Sequence, residues 1–184
     1  QYFAKYHAAI VEIGARVALE QPMESRHSVS VKLSALHPRY EFAQAGRVVA
    51  ELAPKLIDLV RAARAAGIAL TVDAEEAERL ELSLLLIDRV LTDSVMTDYS
   101  GFGLAVQAYQ KRAPAVLDWL AGRCRSLRRR ICVRLVKGAY WDTEIKRAQE
   151  RGLSGYPVFT RKSATDVSYL ACAQKLAKSR DVIY

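Results

Sequence analysis

Apolar positions along the chain alternate between a helical spacing and a period of two. Tyr6, Ile10, Ile13 and Val17 recur at helical intervals and predict an opening helix over 2–19. A polar break at 20–28 includes Pro22, and then Val29-Ser-Val-Lys-Leu33 alternates and is β-branched, so a first strand is expected there. His37-Pro38 ends it by forcing extended backbone. Val48, Leu52, Leu56, Val60 and Ala63 share one face of a long helix that stops at Gly67, with Pro54 expected to kink or interrupt it. A second strand, 68–72, closes on Asp73, and a helix over 75–91 follows with Leu80, Leu84, Ile87 and Leu91 as its inner stripe. The third strand, 101–106, leads to a helix over 113–127. The fourth, 131–136, leads to a helix from 141 to 151 and, past an irregular stretch at 152–157, to a last helix over 163–178. Asp181-Val-Ile-Tyr184 reads as the opening of a fifth strand.

Repeated strand, crossover helix and strand imply an α/β fold with a parallel sheet. Two architectures fit: an open doubly wound sheet, or a (β/α)8 TIM-like barrel of which about the first four β/α units are present. The open sheet calls for a G-x-G-x-x-G turn after an early strand, and none occurs; Gly101-Phe-Gly103 starts a strand instead. The barrel calls for polar residues at several strand ends facing one mouth, and that pattern is found.

The chain has 184 residues, 51% apolar and 26% charged, which excludes disorder and collagen-like repeats. Runs such as Leu84–Ile87 fall far short of the ~20 apolar residues of a membrane span, and no export leader opens the chain. Cys124, Cys132 and Cys172 form neither a metal cage nor a disulfide set, so a reduced, cytoplasmic setting is expected. The net charge of +8 owes much to Arg123, Arg125, Arg128, Arg129 and Arg130. Such a run reads first as a solvated helix end and only second as a nucleic-acid patch.

Lys32 is expected inside the first strand, Asp73 at the end of the second, Gln107 at the end of the third and Arg134 inside the fourth. Helix-covered parallel strands are otherwise apolar, so a buried lysine and arginine need an anion or a ligand cavity. A plain Lys32–Asp73 salt bridge is the structural alternative. Asp73, Glu75 and Glu76 could suggest Mg2+, although acids favour helix starts anyway. His7, His27 and His37 are scattered, and no Ser-His-Asp set exists. Gly138-Ala-Tyr-Trp141 offers either a flat platform for a ring system beside free N–H groups or a packed lid.

Ser30-Val-Lys-Leu-Ser-Ala-Leu-His-Pro-Arg-Tyr40, Val72-Asp-Ala-Glu-Glu-Ala77, Val106-Gln-Ala-Tyr-Gln-Lys-Arg112 and Val133-Arg-Leu-Val-Lys-Gly-Ala-Tyr-Trp-Asp142 resemble the proline dehydrogenase domain of bacterial proline utilization A. Gly155-Tyr-Pro-Val-Phe-Thr-Arg-Lys162 and Thr165-Asp-Val-Ser-Tyr-Leu-Ala171 extend the likeness. The resemblance implies a barrel holding non-covalent FAD. It also implies oxidation of L-proline to 1-pyrroline-5-carboxylate by hydride transfer to flavin N5, with electrons passed to a membrane quinone. It would set Lys32 by the proline carboxylate, Asp73 in the active-site hydrogen bonds, Gln107 at the flavin ring edge and Arg134 by N5. Val136 and Gly138 would give backbone contacts to the cofactor, Tyr140 would border the proline ring, and Trp141 would pack on the flavin. On this pattern residues 1–28 form an opening helix and linker. Residues 29–184 form the N-terminal half of the barrel, cut at its C-terminal end, so the fragment alone is expected to self-associate and to be poorly active. A second, NAD-using dehydrogenase would lie downstream, the setting would be cytoplasmic with peripheral inner-membrane association, and no nucleic acid would bind this segment. A Schiff-base aldolase using Lys32 or Lys137 and a basic interaction module are the competing readings.

Overall fold

The computed structural model describes residues 1–17 and 20–184. Four strands, β1 (Ser28–Val31), β2 (Ala69–Val72), β3 (Phe102–Gln107) and β4 (Cys132–Val136), pair in parallel in the order β1-β2-β3-β4. A doubly wound sheet reverses direction at a switch point. This one advances strand by strand, as a barrel wall does. The advance continues beyond β4: Ile131 N–H donates to Val182 O at 2.9 Å and Tyr184 N–H to Ile131 O at 3.1 Å, a parallel bridge at the expected fifth-strand position.

Register explains how one strand serves two surfaces. Val29, Val31, Leu70, Val72, Phe102, Leu104 and Val106 face the helices and form a single core with residues such as Leu52, Leu56, Leu86 and Leu120. Each such fully buried leucine contributes roughly 1.5–3 kcal/mol. The alternate positions, Ser30, Thr71, Gly103, Ala105 and Arg134, line the opposite, concave face. Gly103 is demanded by that packing, since a Cβ there would come within 2.6 Å of Cys132 O on the next strand.

The helices are α1 (Tyr2–Gly14), α2 (Ala45–Ala65), α3 (Leu80–Thr92), α4 (Ala113–Leu127), α5 (Trp141–Glu150) and α6 (Lys162–Lys178). The opening helix ends at Gly14, earlier than its apolar spacing suggested; residues 18 and 19 of that expected helix lie outside the described residues. Ile10 is fully buried in the same core as β1 and α2, so α1 packs as part of this body. α2 runs through Pro54 as one helix. The helix expected from residue 75 starts at Leu80, after a 3-10 turn over Ala77–Arg79, and its buried face is Leu82, Leu86, Ile87, Val90 and Leu91. Leu80 and Leu84 pack only at the margin of the core. α4 has its expected bounds, with Pro114 in its first turn and Arg128 in the left-handed region after its last.

The route from β4 to the fifth-strand position differs from the simple alternation. α6 packs against α4 and β4 and is the crossover helix. Its Ser168 hydroxyl donates to Ala108 O at 2.7 Å, and Lys175 pairs with Asp118 at 2.6 Å. α5 is an excursion over the strand ends. Glu144 on α5 accepts from Ala77 N–H at 2.6 Å, and Arg147 and Arg151 both pair with Glu78. Most of the arginine run is tied down locally: Arg123 to Asp88, Arg125 to Asp181, Arg129 to Met96 O, and Arg130 to Glu24 and over the Tyr184 ring. Among the described residues, no helix is long and apolar enough to cross a membrane.

Candidate active site

All four strands end at one side of the sheet, and their polar residues meet there. Arg134 comes from the middle of β4 on the concave face. Its guanidinium reaches back across β3, pairing with Asp73 at the end of β2 and donating to Ser30 Oγ on β1 at 2.9 Å. The floor beneath it is the row Gly103 and Ala105, which leaves room for a flat group. The expectation of buried cations is corrected here. Arg134 is 45% exposed because this face of the sheet carries no helix layer, so the charge stays partly solvated.

Lys32 is not inside β1, which ends at Val31 when the chain turns into a 3-10 helix over Leu33–Ala35. It stands at the strand mouth, exposed, with its backbone N–H donating to Tyr6 Oη at 3.2 Å. The alternative Lys32–Asp73 bridge does not form: Asp73 takes Arg134, and the Lys32 ammonium has no ion-pair partner among the described residues. Gln107 is buried and acts as a strut. Its Nε2 donates to Glu75 O at 2.8 Å and its Oε1 accepts from Ala139 N–H at 3.1 Å, joining the loop after β2 to the loop after β4. Two of its four amide bonding positions are thereby used.

Val136 ends β4, and Gly138 follows with φ +146°, a conformation that side chains avoid. A Cβ at 138 would also run into the Tyr109 ring. Tyr140 N–H donates to Tyr109 Oη at 3.3 Å, and Trp141, 42% exposed, donates from Nε1 to Phe159 O at 2.9 Å. Tyr109, Lys137, Gly138, Trp141, Thr160 and Lys162 border an open cleft beyond β4, where Lys137 and Lys162 share Asp166. Burial and the nearby Glu144 carboxylate push the Tyr109 hydroxyl well above the usual phenol range, so it stays protonated. Burial likewise raises the Glu144 carboxyl, against the pull of Ala77 N–H and Arg147.

Glu75, which the sequence offers as an acid at a helix start or as part of an Asp73, Glu75 and Glu76 set for Mg2+, is tied to neighbouring loops instead. Its carboxylate accepts from Ser34 N–H at 3.1 Å and pairs with Arg79 at 2.6 Å, while Glu76 also pairs with Arg79. Among the described residues no group of three or more His, Cys, Asp or Glu side chains is placed to hold a metal. Of the two lysines considered as amine nucleophiles, Lys137 is held by Asp166 and Lys32 is exposed to solvent.

The chain matches the family described as Proline dehydrogenase over residues 1–184. The chain belongs to the proline dehydrogenase family. It is 50% identical over 183 residues to the bifunctional protein PutA of Salmonella typhimurium and 48% identical to that of Rhizobium meliloti, covering 100% and 98% of this chain. It spans 14% of the length of each of these relatives. Among solved structures, a proline utilization A protein described with proline bound in remote sites superposes with a TM-score of 0.97 at 55% identity, over all of this chain and 19% of that one. Proline utilization A from Bdellovibrio bacteriovorus, inactivated by N-propargylglycine, superposes with a TM-score of 0.90 at 26% identity, over 99% of this chain and 20% of its own. The four-stranded wall is therefore part of the TIM-like barrel of the proline utilization A proline dehydrogenase domain.

Proposed function

We propose that this segment carries the N-terminal half of the barrel of an FAD-dependent proline dehydrogenase, oxidising L-proline to 1-pyrroline-5-carboxylate and passing electrons to a quinone. The observation that carries this reading is that Arg134 holds Asp73 at the end of β2, while Lys32, exposed and with no ion-pair partner among the described residues, follows the adjoining end of β1. An amino acid's carboxylate needs such an unpaired point charge. A flavin also fits the donor set. The Gly103–Ala105 floor is flat, Gln107 and Arg134 retain unused bonding positions, and the cleft past Gly138 offers an aromatic wall and two lysines for an anionic tail. When bound, the flavin supplies the hydride acceptor, and the protein's task is orientation and charge placement.

In this arrangement Lys32 holds the proline carboxylate and Tyr140 borders the ring. Asp73, fixed by Arg134, is a hydrogen-bond acceptor near the substrate nitrogen. Arg134 presents positive charge where electron density accumulates. Val136, Gly138, Gln107 and Trp141 hold the cofactor. The parent protein is bifunctional, with an NAD-using glutamate semialdehyde dehydrogenase elsewhere in the chain. It works in the cytoplasm and docks peripherally on the inner membrane to reach its quinone. The test is direct: the full-length protein is expected to purify yellow, to bleach anaerobically with L-proline and to recover on adding a soluble quinone. Lys32→Met is expected to raise KM for proline far more than it changes flavin content. A yellow protein that proline does not bleach overturns the proposal.

A further inference from the structure

Asp73 and Lys32 sit on separate loops, and something must fix the distance between them. Residue positions repeat on the two loops: Ser34 lies two residues past Lys32, and Glu75 two past Asp73. Ser34 N–H donates to the Glu75 carboxylate at 3.1 Å, which clips the loop after β1 to the loop after β2. The other carboxylate oxygen takes Arg79 at 2.6 Å, whose guanidinium lies 5.8 Å from the centre of the Tyr40 ring. Glu75 O accepts from Gln107 Nε2 at 2.8 Å, and Gln107 continues the line to Ala139 at 3.1 Å. The Glu75 side chain is only 6% exposed, so a charge-assisted bond there is held out of bulk water.

From this continuous chain of bonds we infer that Glu75 is a positioning residue for proline binding: through Ser34 it sets where Lys32 stands relative to Asp73 and Arg134, and through its carbonyl it keeps Gln107 in line with the Gly138–Trp141 loop. Glu75 itself touches no reacting atom. The inference rests on the proline-oxidising reading above. It differs from a simple stabilising role in one respect, because the effect of its side chain, which Glu75→Ala removes while the carbonyl stays, must travel through Lys32.

The test is a double-mutant cycle on the full-length, flavin-loaded protein. Glu75→Ala is expected to raise KM for L-proline at least tenfold while kcat falls less and the visible flavin spectrum is retained. Glu75→Gln, which keeps an acceptor for Ser34 N–H, is expected to restore KM to within about threefold of the parent value. In the Lys32→Met background the same Glu75→Ala change is expected to alter KM less than twofold. Equal effects of Glu75→Ala with and without Lys32, or a parent-like KM in the Glu75→Ala protein, would overturn the inference. Where Glu75→Ala does not accumulate, Glu75→Leu takes its place in the cycle, read by the same two criteria. If the unmutated protein is yellow but inert to proline, the functional reading fails first; an active parent with an additive cycle sinks only the positioning role.

Discussion

Arg134 on β4 reaches over the small residues of β3 to hold Asp73 at the end of β2, so that one guanidinium bridges strands that are not neighbours. Its second contact, Ser30 on β1, carries the span across the whole sheet. That geometry depends on nothing larger than a methyl group lying between. Ala105→Leu is therefore expected to lift the guanidinium off Asp73 and reduce kcat/KM for proline by roughly 100-fold, with the far-ultraviolet circular dichroism unchanged. Steady-state kinetics on the purified full-length variant checks this.

Gly138 combines a left-handed backbone with the Tyr109 ring pressed against its α-carbon. Gly138→Ala is expected to destabilise the protein by about 1–3 kcal/mol from backbone strain alone. It should also lower flavin retention, because the displaced loop carries Tyr140 and Trp141. Thermal melting and the flavin-to-protein absorbance ratio measure both effects.

The Glu144 carboxyl is raised chiefly by burial, and its proton affinity therefore exceeds that in the unfolded chain, where a glutamate titrates near ~4.3. The folded state binds the extra proton, so stability is lost as pH rises from that value through the raised one. Glu144→Gln keeps an acceptor for Ala77 N–H and removes the titration. Its melting temperature relative to the parent is expected to climb as pH rises from about 4 and to level off once the raised carboxyl has ionised, rather than stay flat. Melts across that range decide it.

Tyr40 is 4% exposed, and its hydroxyl has no hydrogen-bond partner among the described residues. Burial, with Glu75 nearby, pushes that hydroxyl far above the usual phenol range. Tyr40→Phe keeps the ring that Arg79 packs over and deletes only the unpaired oxygen. The expected change is neutral to about 1 kcal/mol stabilising, by chemical denaturation. A loss of more than that would mean the hydroxyl is bonded in solution.

Much of this architecture was legible because its signals are local. α4 has the bounds expected for it, 113–127, and the short apolar runs became strands in chain order. The four candidate residues Lys32, Asp73, Gln107 and Arg134 could be picked out because charge and amide groups are conspicuous in apolar strands. Their partners were not legible, since a sequence does not say which neighbours a strand acquires. Asp73 binds the arginine two strands away rather than the lysine just past the adjoining strand. Lys32 was expected in β1 because Leu33 continues the alternation, yet the strand ends two residues earlier, at Val31. Glu75 resembled any acid ahead of a helix; only the tertiary fold brings Ser34 and Gln107 to it. α5 and α6 read as successive helices, and packing alone shows that one belongs to the wall and the other does not.

Because α6 alone completes the return to the next strand, α5 and the segment that follows it form an excursion at the strand ends, anchored to the neighbouring unit by Glu144, Arg147 and Arg151 and to the loop after β3 by the Gln110–Val158 bridge. Cutting back 141–161 would therefore strand Glu78 without its two guanidinium partners and leave Ala77 N–H unmet, so the excursion also braces the wall.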